Sequence, residues 1–330
     1  MRKKKWIKRL AAAVLILLAL LVLASNIVVD LALVPEKMEQ TQAFEDITED
    51  SYEALVKTDD IGQNKMASLE KTEKWVRSAD SEEVSVTTKD GYRLLGRAFY
   101  QEGESHDWVL LLHGYTGWKE EMYPIAFEYA ERGYQVLVPD MRCSGESEGD
   151  FIGMGWTDRK DNLLWLQTIL KKDKNARIVI HGQSMGGACA LMMTGEDLPD
   201  NVKAVVSDSA YTDAYSIFKK QLKDWFHLPG FPLVDGADLM LQIRGGYSLK
   251  KASALDAVKK STIPLLIIHG EEDVFVPVEM AYTLYDAADC EKELLIVEGA
   301  GHAQAPDKAP QEYYKTVFSF LETHGMTAFG

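Results

Sequence analysis

The sequence predicts an α/β protein whose mainly parallel sheet is covered by helices on both faces. Three observations carry this. From Glu83 onward, short apolar β-rich runs alternate with amphipathic helical stretches, the pattern of strands buried on both faces. One run, "RIVIHG", enters a glycine-rich knot around Ser184 and leaves it as a small, apolar helical segment, which places a tight turn at the carboxyl end of a strand, where such sheets gather their chemistry. Between Tyr211 and Ser261 the rhythm breaks without a clear strand, as expected of an insertion folded over the sheet as a helical cap.

The elements before the sheet follow from composition. The chain has 330 residues, 46% of them hydrophobic, and a net charge of −15. That length and content support a substantial core, and an acidic body argues against nucleic acid as a partner. Arg2, Lys3, Lys4, Lys5, Lys8 and Arg9 cluster ahead of an apolar run from Leu10 to Ala24, which continues to Val29 past only Ser25 and Asn26. Residues 1–9 therefore read as a cytoplasmic basic segment and 10–29 as a transmembrane anchor, with the rest of the chain outside the cell membrane. The alternative is a secretory signal cut after Ala24, giving a secreted protein. Residues 30–82 are polar and acidic, and are expected to form a stalk or partly helical extension that holds the body off the membrane. Cys143, Cys189 and Cys290 form neither a disulfide framework nor a metal-ligand spacing.

Residues 83–330 read as one domain, with the insertion at about 211–261. "EVSVTT" and "YRLLGRAFY" make a strand pair turned at Lys89, Asp90 and Gly91. "WVLLLHG" is a buried strand, and "EEMYPIAFEYAERG" is a helix closed by Gly133. "YQVLVPD", a helix from Asn162 to Lys171, "RIVIHG", a helix from Gly186 to Met193, "VKAVVSD", "PLLIIHG" and "ELLIVEGAGH" complete the alternation. In the insertion, Trp225, Phe226, Leu228, Phe231 and Leu233 either line an apolar approach to the site or pack the cap onto the body.

Gly182, Gln183, Ser184, Met185 and Gly186 spell G-x-S-x-G between strand and helix, the nucleophile elbow. A serine hydroxyl needs a base to take its proton. His302, in "VEGAGHAQAP", follows the last strand on a glycine-rich exit and is the candidate. His113, His181 and His269 each end a strand and read as structural residues. The base needs a carboxylate to set its tautomer: Asp273 in "IIHGEEDVFVP" is the candidate, with Asp208 the second choice. The order Ser184, Asp273, His302 fits this kind of sheet. The backbone N–H groups of Met185 and of Tyr115, in "LLHGYTGWKEE", are the expected oxyanion donors. This chemistry calls for no metal and no organic cofactor.

With "HGYTG", "GQSMGG", "GEEDVFVP", "GAGH" and "PDMRCSGESEG" the sequence resembles the α/β-hydrolase superfamily over about Glu83 to Glu322. It is closest in character to its bacterial membrane-associated, serine aminopeptidase-like hydrolases. The resemblance implies an eight-stranded α/β-hydrolase fold with a small helical cap, and an esterase or peptidase. Gln183 stands where the superfamily commonly has histidine, and Cys143 where it usually has glycine. The expected activity is hydrolysis of carboxylic esters or related small acyl compounds through an acyl-enzyme. A peptidase of the same fold and a catalytically silent binding protein are the alternatives.

Overall fold

The eight strands of the sheet stand in the order β1-β2-β4-β3-β5-β6-β7-β8. They are β1 Asp80–Thr87, β2 Arg93–Tyr100, β3 Asp107–Leu112, β4 Gln135–Pro139, β5 Arg177–Gln183, β6 Val202–Asp208, β7 Leu265–Gly270 and β8 Lys292–Val297. β1 pairs with β2 and β2 with β4 in antiparallel fashion, and every later pairing is parallel. The computed structural model describes residues 2–38, 60–103 and 105–326.

Alternation along the strands builds two cores. Val109 and Leu111 of β3 face a layer with Tyr129 and Phe320, while Leu110 and Leu112 face a layer with Trp165, Leu191 and the insertion. The first layer is covered by α3 Tyr123–Ala130 and α10 Pro310–Thr323, and the second by α4 Asp158–Lys172, α5 Met185–Met193 and α9 Glu279–Ala287. β3, β4 and β7 are buried along their whole length, which explains why they read as continuous apolar runs rather than alternating ones.

The insertion is helical: α6 Ala214–Phe226, α7 Leu233–Arg244 and α8 Ala254–Val258. Asp213 caps α6 by accepting from Ser216 N at 2.7 Å. Phe226, Leu228 and Phe231 are exposed, with Phe231 at 75%, so they do not fasten the cap to the body, whereas the half-exposed Trp225 keeps a ring contact with Phe275 of the body at 5.9 Å.

Two elements differ from the sequence expectation. α2, Asp60–Ser78, lies on the body rather than standing off it as a stalk: its Trp75 ring is 4.4 Å from that of Phe99, and Asn64 donates to Asp307 O at 2.9 Å. Of the rest of the expected stalk, residues 30–33 continue the amino-terminal helix past the expected boundary at 29, and residues 39–59 lie outside the described residues. The strand expected from Glu83 begins three residues earlier, at Asp80, because pairing with Tyr100 and Phe99 continues to that point. The apolar amino terminus is a single helix, α1 Arg2–Leu33, long and apolar enough between Lys4 and Leu33 to cross a membrane.

Candidate active site

The site is assembled at the carboxyl ends of β3, β5, β7 and β8. Ser184 follows β5 at φ +56, ψ −116, a backbone region that a residue with a side chain occupies only when its surroundings hold it there. The glycines around it make that approach feasible. A β-carbon on Gly182 would collide with the carbonyl of Gly186, and one on Gly186 with the carbonyl of Leu112. The turn is thereby pressed against β3, and Ser184 N is fixed by donating to Asp208 O at 2.8 Å.

Ser184 Oγ lies 2.8 Å from His302 Nε2, and His302 Nδ1 lies 2.7 Å from Asp273 Oδ2. Asp273 is held from several sides. Its Oδ1 accepts from Phe275 N at 2.9 Å and Val276 N at 2.8 Å, and its Oδ2 lies 3.2 Å from His269 Nε2. Burial pushes its pKa up, but contacts with His269 and His302 and the Val276 amide outweigh this and lower it to about 2. The carboxylate is therefore ionised at neutral pH and acts only as an acceptor. It selects the His302 tautomer with hydrogen on Nδ1, leaving the Nε2 lone pair to face the Ser184 hydroxyl.

Met185 opens α5, so its N–H is among those left unbonded by the helix at its amino end. The loop after β3 passes beside it: a β-carbon on Gly114 would lie 3.6 Å from Ser184 Cβ. The next residue, Tyr115, carries the second backbone amide expected at an oxyanion hole. Its phenol donates to Ala32 O at 2.5 Å.

Asp208, the second candidate for the acid, is fully buried behind the elbow. It bonds Gln183 Nε2 at 3.2 Å, Ser209 Oγ at 2.9 Å and Tyr313 OH at 3.2 Å, with no hydrogen bond to His302, and burial raises its pKa. Gln183 also donates to Ala303 O at 3.3 Å, and so ties the elbow to the loop that carries His302. His113 and His181 are structural, as expected from their strand ends. His113 sits between Gly114 O and Met141 N, and His181 between the hydroxyls of Tyr129 and Tyr313, with burial lowering the pKa of His181 to about 3. His269 differs, because it reaches Asp273. The only hint in sequence is that it shares the short segment "HGEED" with that acid. Cys143 has φ +61, the geometry expected where glycine is usual. Cys189 is buried in the core.

An elbow serine on an eight-stranded sheet of this order defines an α/β hydrolase. The model of the prolyl oligopeptidase family matches residues 121–326, and the chain belongs to that family. It is 32% identical over 216 residues to the uncharacterized protein YqkD of Bacillus subtilis, covering 65% of this chain and 70% of that one. Lysophosphatidylserine lipase ABHD12 of Danio rerio is 28% identical over 199 residues, 58% of this chain and 49% of that one. Two solved structures share the fold. Pyrococcus furiosus esterase Pf2001 has a TM-score of 0.61 at 23% identity, with 75% of this chain and 93% of that chain covered. Pyrococcus horikoshii acylaminoacyl peptidase has 0.58 at 21%, covering 78% and 44%. Family and fold together support serine-hydrolase activity.

Proposed function

We propose that the protein cleaves carboxylic esters or related small acyl compounds, with Ser184 as nucleophile, His302 as base and Asp273 as its orienting acid. The observation that carries this reading is the unbroken line of short contacts from Ser184 Oγ through His302 to Asp273. Ser184 Oγ gives its proton to His302 Nε2 and bonds the acyl carbon. The tetrahedral oxyanion takes hydrogen bonds from the amides of Met185 and Tyr115. His302 Nε2 then returns the proton to the departing alcohol as the acyl–oxygen bond breaks. Water repeats the sequence on the acyl-enzyme and frees Ser184.

Peptide cleavage is the second reading. It is favoured by the family match, and the same three residues serve it. A panel of p-nitrophenyl esters and of aminoacyl and acylaminoacyl p-nitroanilides separates the two. Ester turnover that disappears in Ser184→Ala supports the first reading, and anilide turnover exceeding it supports the second. Equal turnover in Ser184→Ala excludes both.

In this reading α1 is an uncleaved single-pass anchor that keeps residues 83–330 outside the cell membrane, and the membrane is a partner through that helix. Its length, its apolar composition and the basic residues at its start support this. Protease protection of the amino terminus in sealed cells, with digestion of the hydrolase domain, is the expected result.

A further inference from the structure

The final third of α1 is built into the hydrolase body. Side chains from Lys4 to Leu20 are exposed, whereas Ser25, Val29 and Leu33 are buried. The covering element is α7. A β-carbon on Gly236 would overlap Ser25 Oγ and lie 3.8 Å from Leu21 Cδ1, so the missing side chain lets the helices close up. Arg244, two turns later, reaches Asn26 Oδ1 at 3.1 Å and Asp30 Oδ1 at 2.5 Å. Positions rise together along both helices, so α1 and α7 run in the same direction. The start of α7 and the turn that precedes it therefore point back along α1, towards its exposed apolar stretch.

That end of the cap is apolar and bare. Trp225, Phe226, Leu228 and Phe231 are 45%, 56%, 45% and 75% exposed, and Leu239 and Ile243, four apart on α7, are 53% and 69% exposed. The acids on either side of this turn are paired: Asp224, near the end of α6, with Lys220 at 2.5 Å, and Asp235, in the first turn of α7, with Lys250 at 2.8 Å.

Length decides how this surface meets the membrane. The exposed apolar part of α1 before its first contact with α7 runs only from Leu10 to Leu20, roughly 16 Å of helix at about 1.5 Å per residue. A hydrocarbon core is about 30 Å thick and needs ~20 helical residues. A span begun at Leu10 ends near Val29, and one begun at Trp6 ends near Ser25. Both registers carry Leu21, and the start of α7 beside it, into the outer leaflet, while the end of α7, where Arg244 reaches Asp30, lies at or beyond the edge of the span.

We infer that the turn between α6 and α7 and the start of α7, as far as Leu239, insert into the phospholipid leaflet on the hydrolase side, making the cap a second membrane-binding element. This rests on the anchor reading. The Trp225 ring lies 5.9 Å from Phe275, whose ring lies 4.9 Å from His302, so two ring contacts join the leaflet to the site.

The test uses the full chain, with Cys143→Gly and Cys290→Ser, in vesicles of phosphatidylethanolamine and phosphatidylglycerol. Single nitroxides are placed at Leu17→Cys, Phe231→Cys, Ile243→Cys and Lys174→Cys, all exposed positions. Collision with oxygen relative to a water-soluble nickel complex is then read for each. The expected result is an oxygen preference at 231, as at 17, several-fold above that at 174, with 243, next to the Arg244 that reaches Asp30, below 231. Lipid exposure at 17 with 231 matching 174 would overturn the cap insertion alone. Water exposure at 17 would overturn the anchor reading together with it.

Discussion

His269 Nε2 lies 2.8 Å from Val276 O and 3.2 Å from Asp273 Oδ2, so the carboxylate that faces His302 is gripped by a second imidazole. The carbonyl fixes hydrogen on that Nε2, and the ring is a donor to Asp273. Burial alone would lower the pKa of His269, but the Asp273 carboxylate and the Val276 carbonyl raise it. His269→Phe should lower kcat about tenfold with KM little changed, the equivalent of one hydrogen bond to a charged group. His269→Gln, which keeps a donor, should recover part of the loss. Steady-state kinetics on an activated ester reads both, and a His269→Phe enzyme with unchanged kcat would show that the contact positions nothing.

Asp273 and Asp208 are separated by the same assay. Asp273→Asn should reduce kcat by roughly 10³–10⁴-fold, because the amide no longer selects the His302 tautomer. Asp208→Asn should stay within about tenfold of the parent, since Asp208 supports the elbow through Gln183 and Tyr313. The reverse ranking would move the acid to the end of β6.

The phenol of Tyr115 ties the loop after β3 to the last turn of α1, and Ile152 N donates to Leu33 O at 2.9 Å close by. These bonds satisfy carbonyls that the helix leaves open at its end. Tyr115→Phe should therefore cost kcat about threefold to tenfold through a displaced oxyanion donor. A chain lacking residues 1–33 should lose at least as much on the same soluble ester. Equal kcat in full-length, truncated and Tyr115→Phe proteins would mean that the anchor holds the domain without shaping its site.

Asp158 gives a dependence of stability on pH. It is buried, its Oδ2 accepts from Gly155 N at 2.9 Å, and burial followed by the charge of Asp161 raises its pKa to about 7. A carboxyl whose folded pKa lies above its unfolded value of 3.8 favours folding fully below about pH 4, and that contribution is lost as pH rises through about 7. Asp158→Asn should flatten this fall, raising Tm by on the order of 5 °C at pH 8 relative to the parent. Thermal scans at pH 5 and pH 8 measure it, and parallel Tm curves for the two proteins would contradict it.

The alternation of strands and helices was legible because β3 to β7 carry short, largely buried apolar runs, and the residues singled out on strand exits meet because parallel strands deliver their carboxyl ends to one edge. What the sequence concealed depends on contacts between distant segments. The partly helical character expected before the sheet did not reveal that Asp60–Ser78 lies on the body, because that depends on the distant contact of Trp75 with Phe99. His269 looks like any strand-end histidine until Asp273 folds back onto it. The aromatic tip of the cap reads in sequence either as the lining of an apolar approach or as packing material, because apolar composition does not distinguish a surface turned to protein from one left bare.

The most direct measurement is intact mass of the purified protein after exposure to a fluorophosphonate, with Ser184→Ala and His302→Ala in parallel. One adduct on the parent, none on Ser184→Ala and greatly slowed labelling of His302→Ala are predicted, because in the proposed mechanism the imidazole 2.8 Å away takes the proton of the Ser184 hydroxyl. An adduct on Ser184→Ala equal to the parent's, or none on well-folded parent protein, would contradict the assignment of Ser184 as the nucleophile.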